Sequence, residues 1–135
     1  MTKQVLQPTD WAAPRGYANG VAVTGRQIFV AGQIGWNGQC QFESDDFIAQ
    51  VRQTLLNIKA VLAEAGAGPE HITRMTWYLL DKREYLARGR EVGQAYREVL
   101  GQEYQIAMSA VQVAGLMEDR AKVEIEVTAV LPVQG

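Results

Sequence analysis

From Lys122 to Ala129, in the segment that runs on to Leu131, polar and apolar residues alternate strictly. Val123, Ile125, Val127 and Ala129 fall on one side, and Lys122, Glu124, Glu126 and Thr128 on the other. Side chains along a strand point alternately to opposite faces, so this is a half-buried strand. Its apolar side needs a layer of structure over it. Its other side carries two carboxylates, and what faces them decides what the chain can be.

The covering layer is legible upstream. Phe47, Val51, Leu55, Ile58, Leu62 and Ala65 recur at three- and four-residue spacing and form one helical stripe. Ser44 is expected to cap that helix, with Asp45 and Asp46 in its first turn, where negative charge suits the dipole. Gly66, Gly68 and Pro69 end it. Arg83 to Leu100 predicts a second helix, stopped by Gly101.

Strands are predicted over Tyr17–Val23, Gln27–Gly32, Ile72–Leu80, Ile106–Ala114 and Lys122–Leu131. The first two are joined at Thr24-Gly25, with Asn19-Gly20 as a rival turn. The residues through Arg15, with Pro8 and Pro14, read as an irregular arm. The prediction is one α+β domain over 1–135, in the order β-β-α-β-α-β-β. Two helices cover only one face of a sheet of about five strands. The other face is then wet or buried against another chain. If the last two strands pair as neighbours, Met108 and Gln112 share the side of Glu124 and Glu126.

With 135 residues, 47% hydrophobic and 21% charged, the chain has the material for one core. A net charge of −2 gives no basic footprint for nucleic acid. Arg83, Arg88, Arg90 and Arg97 read as a solvated helix face. A single cysteine, Cys40, and a single histidine, His71, exclude an internal disulfide and a Cys/His zinc site. No apolar run suggests a signal peptide or a membrane span, so a cytoplasmic protein is expected. Asp45 and Asp46 are better explained by a helix start than as paired catalytic acids. Gly32-Gln-Ile-Gly35 lacks the Gly-Lys-Ser/Thr ending of a phosphate loop.

Several segments, taken in order, resemble one family. They are Ala31-Gly-Gln-Ile-Gly35, Gln50 to Ile58, Ala63-Glu-Ala-Gly66, Ser109 to Ala114 and Lys122-Val-Glu-Ile-Glu126. Together they are similar to the RidA/YjgF proteins, the enamine/imine deaminases also labelled endoribonuclease L-PSP. The resemblance spans about Tyr17 to Val130. It implies a chorismate-mutase-like fold and a homotrimer with small-molecule clefts between subunits. It also implies hydrolysis of reactive enamines or imines without a cofactor, with an arginine gripping the substrate carboxylate and a glutamate handling water or protons.

Carried over residue by residue, the glutamate falls on Glu124 and the tyrosine near the first strand on Tyr17. The glycine-rich strand end falls on Ala31 and Gly32. The family's Pro-Ala-Arg-Ser falls on Ile106-Ala-Met-Ser109, so the key arginine is Met108 here. A thioether offers neither charge nor an N–H donor. By analogy with truncated buried charge pairs, that loss costs about 2–5 kcal/mol of carboxylate binding. Arg15 is a candidate replacement cation. The readings left open are an altered deaminase, a non-catalytic metabolite-binding trimer and, against the acidic charge, a ribonuclease. Trp36 is placed either at the cleft mouth or against its own subunit. At least one of Trp77 and Tyr78 belongs to the core. Cys40 has no histidine near it in sequence.

Overall fold

A computed structural model of the chain describes residues 3–132. The strands are β1 (Gln4–Leu6), β2 (Gly20–Ala22), β3 (Arg26–Ile34), β4 (Ile72–Leu79), β5 (Ala107–Gln112) and β6 (Val123–Leu131). The helices are α1 (Phe47–Glu64), α2 (Lys82–Ala87) and α3 (Gly89–Leu100), with a short 3-10 turn at Pro69–His71. The main sheet is four-stranded in the order β3-β6-β4-β5. β6 runs antiparallel to both neighbours, whereas β4 and β5 are parallel, linked by the α2–α3 crossover.

The stripe on α1 is the centre of the core. Val51, Leu55, Ile58 and Leu62 are fully buried, against Met75 and Trp77 of β4 and Val123, Ile125 and Val127 of β6. The apolar side of β6 therefore meets the helices, as its alternation requires. Glu124 and Glu126 emerge on the open side, paired with Tyr78 and Thr76 of β4. The α+β class follows directly from these two periodicities. Among the described residues, no helix is long and apolar enough to cross a membrane.

Several expectations need correction. The arm before Arg15 is not wholly irregular, because β1 pairs antiparallel with β2. β2 is only three residues long and makes no ladder with β3, so Thr24-Gly25 joins two sheets rather than closing a hairpin. Ser44 does not cap α1. Asp46 does, its carboxylate accepting from the Ala49 N–H at 3.0 Å, while the Ser44 hydroxyl accepts from the Asp46 N–H. Asp45 and Asp46 thus precede the first turn. The single helix over Arg83–Leu100 is two, broken at Arg88 before Gly89.

The largest correction concerns the last two strands. β5 pairs not with β6 but with β4, which lies between them. Register sets Met108 against Met75 and Ala110 against Trp77, both on the helix side. Met108 therefore packs on the core, and Ser109 and Val111 share the open side with Glu124 and Glu126.

Arg88 joins the helix layer together. Its guanidinium donates to Asp46 at 2.9 Å and to both carboxylate oxygens of Glu91 at 3.0 and 2.7 Å. These bonds hold the Asp46 and Glu91 carboxyls below the usual carboxylate range. A depressed carboxyl stabilises the fold above its unfolded value and loses that effect as pH falls through the folded value. Arg88→Gln should lower Tm at pH 7 by roughly 2–4 °C. The gap to the parent should close below about pH 4. Melting curves from pH 3 to 8 test this, and a gap that stays constant with pH would reject the assignment.

Candidate functional site

The residues singled out by sequence fall into two groups, at opposite edges of the main sheet. The first gathers at β5. The Ala18 N–H donates to the Ile106 carbonyl at 2.9 Å, and Ala18 bridges Ala107. That bond ties the segment Arg15–Tyr17 to the start of the edge strand, beside Met108. Between this segment, β5 and α3 lies a cavity of about 610 Å³.

Trp77 and Tyr96, both buried, form the cavity floor, with Tyr85, Tyr104 and Val92 around them. Trp77 meets Tyr85 edge-on at 6.0 Å between centroids, and Tyr96 stacks on Tyr104 at 5.4 Å. Burial pushes the Tyr85 and Tyr96 phenols up, so both remain neutral at physiological pH. The Tyr96 hydroxyl donates to the Glu103 carbonyl. Tyr17, 40% exposed, and Arg15 stand at the rim.

The second group lies where β3 meets β6. Val30 pairs with Val127 and Gln33 with Ile125, so Ala31 and Gly32 together oppose Glu126. This is a β-bulge, an extra residue that bends the strand and re-aims its neighbours. The Glu124 carboxylate rests on Gly32. A Cβ at that glycine would stand 2.3 Å from Glu124 Oε2, so the bare backbone is what admits the carboxylate. Glu124 makes no side-chain hydrogen bond or ion pair among the described residues. Glu126 differs, because the Tyr78 hydroxyl donates to it at 2.6 Å. That bond holds the Tyr78 phenol above its ordinary range.

The structure thus brings Glu124 to Ala31 and Gly32, and Arg15 and Tyr17 to Met108. It does not bring the two groups together within one chain. On the open face of β3, two residues before Ala31, Phe29 is exposed at 72%, an unusual place for a phenyl ring in water.

Other residues resolve more simply. Trp36 packs on Phe42 of its own chain at 5.9 Å. Trp77 is the core member of the Trp77–Tyr78 pair. Cys40 is exposed in a shallow groove with Trp36, Phe42, Met117 and Arg120, with no histidine beside it. The His71 Nδ1 accepts from the Gly68 N–H at 3.0 Å, which is a turn contact. Among the described residues, no three His, Cys, Asp or Glu side chains converge as metal ligands would. Asp45 is engaged by Arg120 at 2.9 Å.

Arg97 was missed as a site residue, because helical charge spacing assigned it to a solvated face. It lines the cavity at β5. The available signal was Gly93, four residues before it on the same side of α3. That gap in the helix surface lets the Arg97 guanidinium fold back, with Nη1 3.1 Å from where a Gly93 Cβ would stand.

Comparison with known proteins agrees with this architecture. A family model described as endoribonuclease L-PSP matches residues 9–131. A RutC family protein of Synechocystis sp. is 34% identical over 134 residues, covering 98% of this chain and 99% of its own. The 2-iminobutanoate/2-iminopropanoate deaminase of Escherichia coli K12 is 32% identical over 132 residues, covering 96% and 98%. Among solved structures, a Rid family protein of unknown function from Yersinia pestis superposes with a TM-score of 0.84 at 31% identity, over 97% of this chain and all of the other. Family match, full-length relatives and shared fold agree, and the chain belongs to the endoribonuclease L-PSP family, the Rid/YjgF proteins.

Proposed function

We propose that this protein is a homotrimeric hydrolase that converts reactive 2-imino acids, or the enamines in equilibrium with them, to 2-oxo acids and ammonia. The observation that carries the reading is the Glu124 carboxylate, seated on the Gly32 backbone with no protein partner among the described residues. The relationship to a 2-iminobutanoate/2-iminopropanoate deaminase over nearly the whole chain supports the choice of reaction.

Glu124 takes a proton from water while the water oxygen bonds to the imine carbon. The C=N bond becomes single. That proton passes to nitrogen, giving a carbinolamine; Glu124 then takes the carbinolamine's hydroxyl proton and delivers it to nitrogen as the carbonyl forms, the C–N bond breaks and ammonia leaves. Imine and water are consumed, ketone and ammonia appear, and no electrons are exchanged. A base of this kind is worth about 10²–10⁴ in rate.

The split site supports this assembly. One edge of the sheet carries the cavity beside Met108, and the other carries Glu124 over Gly32. A head-to-tail contact between unlike edges, closed into a ring, sets each cavity against a neighbour's glutamate. The exposed Phe29 and the open face around Arg74, Thr76 and Glu126 turn inward in such a ring.

One observation favours a second reading, a non-catalytic metabolite-binding trimer. Met108 stands where the family resemblance expects the carboxylate-gripping arginine. A single assay separates the two. Imino acids generated freshly by an amino-acid oxidase should release ammonia faster with the protein than without it. Light scattering should give three times the 14.9 kDa chain mass. Ligand-dependent rises in Tm without any ammonia release would favour the binding reading. A monomeric mass at micromolar concentration would remove the shared site altogether.

A further inference from the structure

The cavity beside Met108 differs from the rest of the surface in two ways. Its floor is almost wholly aromatic and aliphatic, and its rim holds Arg15 and Arg97. Neither arginine has an ion-pair or side-chain hydrogen-bond partner among the described residues, and no Asp or Glu lines the cavity. Arg52, Arg88 and Arg120 each meet a carboxylate, and the other arginines without one, Arg26, Arg74, Arg83 and Arg90, do not line this cavity. Glu103, next to the rim residue Tyr104, faces Lys3 at 3.6 Å.

We propose that this cavity selects acids with a large apolar or aromatic side chain, and that Arg15 and Arg97 together receive the carboxylate. This names the substrate class of the proposed deaminase site and rests on that reading for its chemistry, though not for its binding. About 610 Å³ lies within the range of pockets that enclose molecules much larger than a three-carbon acid. A two-carbon side chain would leave most of the floor facing water.

Chemistry then sorts the occupants. Trp77, Tyr85 and Tyr96 present ring surface, and Met108 adds a polarizable thioether that favours contact with aromatic edges. Replacing a guanidinium at position 108 by a thioether removes one anion grip and lengthens the apolar wall. The charge lost there is restored at the rim, where two guanidinium forks can hold one carboxylate. Gly93 keeps the space into which Arg97 folds.

The test is calorimetric titration of the full-length protein with three probes. Phenylpyruvate has both ring and carboxylate. Pyruvate keeps the carboxylate and lacks the ring. In 1-phenylpropan-2-one a methyl group replaces the carboxylate. Phenylpyruvate should bind at least about tenfold more tightly than either of the others. Arg97→Gln and Arg15→Gln should each weaken phenylpyruvate by about tenfold and leave the ketone unchanged, since each removes one charged hydrogen-bonding group. Both positions are exposed, so the variants should keep the parental Tm.

Equal binding of pyruvate and phenylpyruvate overturns the proposal, as does phenylpyruvate affinity indifferent to both arginine substitutions, or no binding of phenylpyruvate at all. Arginine-dependent binding of phenylpyruvate, with no ammonia from its imine, supports the ligand class and sinks only the deaminase reading. Ammonia release that is fast for the three-carbon imine, and no faster for the phenyl one, sinks the ligand class and leaves the deaminase standing.

Discussion

Glu124→Gln is expected to lower ammonia release from imino acids by about 10²–10⁴-fold while leaving the fold intact. Glutamine keeps the shape that rests on Gly32 and cannot take a proton from water. The loss should appear in kcat more than in KM, because the proton transfer belongs to the transition state. Glu126→Gln is the internal control. Glu126 already accepts from the Tyr78 hydroxyl on the open face, so its replacement should cost little of the proton transfer. Side-by-side kinetics decide the matter. Equal losses in the two variants would mean that the acidic face acts through assembly, and activity retained in Glu124→Gln would remove the base from the mechanism.

The second large effect is on stability. Gln50→Leu should lower Tm by roughly 7–14 °C, corresponding to about 2–4 kcal/mol. Gln50 is 1% exposed, and with Thr54 it is one of two buried polar residues on α1. Its side-chain amide donates to the carbonyls of Ser44 and Arg120 at 3.1 and 2.9 Å and accepts from the Lys122 N–H at 2.8 Å. Leucine fills the volume but leaves three part-buried backbone groups without their side-chain partner. Gly35 lies directly over this residue, since a Cβ there would stand 2.6 Å from Gln50 Cβ. The clamp fixes the entry to β6 two residues before Glu124, so the variant should also lose activity at temperatures where it remains folded. Circular dichroism melts paired with ammonia assays test both parts. A parental Tm would show that the three bonds add nothing net.

Local periodicity made the fold class legible. The α1 stripe and the alternation of β6 are short-range patterns, each dictated by which side of one element is buried. Strand order is a different kind of information. Nothing within Ala107–Gln112 indicates that it pairs with β4 rather than β6, because that choice depends on the crossover helices packing back on the sheet. The side of Met108 depended on that pairing, and with β4 between β5 and β6 it falls on the helix side. β1 is three exposed residues with no apolar rhythm, so only its partner strand defines it. The break at Arg88 is hidden because Tyr85 and Val92 keep helical spacing across it.

The site was legible in part and for a separate reason. Glu124, Gly32 and Tyr17 came from family resemblance, whereas the bulge that joins the first two is not legible there, because Gly32 reads as the end of its strand and not as a position inside it. Arg97 came from neither source, since a charged residue on a helix reads as solvated until the cavity beneath it is known.

The position of β6 also bears on how the chain is made. This strand is the last of the six in chain order, yet it sits between β3 and β4. Until it leaves the ribosome, β3 has no partner in the main sheet, and the apolar side of α1 lacks half its floor. Synthesis therefore delivers first the three helices and two unjoined pieces of the main sheet, with their pairing groups open to other nascent chains. Closure comes at the end, in one step that joins residues far apart in sequence, which is slow by the entropy of loop closure. For this chain the vulnerable interval runs from the emergence of α1 to the arrival of Val123–Leu131, and shielding over that interval is expected to raise the share of chains that reach the native state.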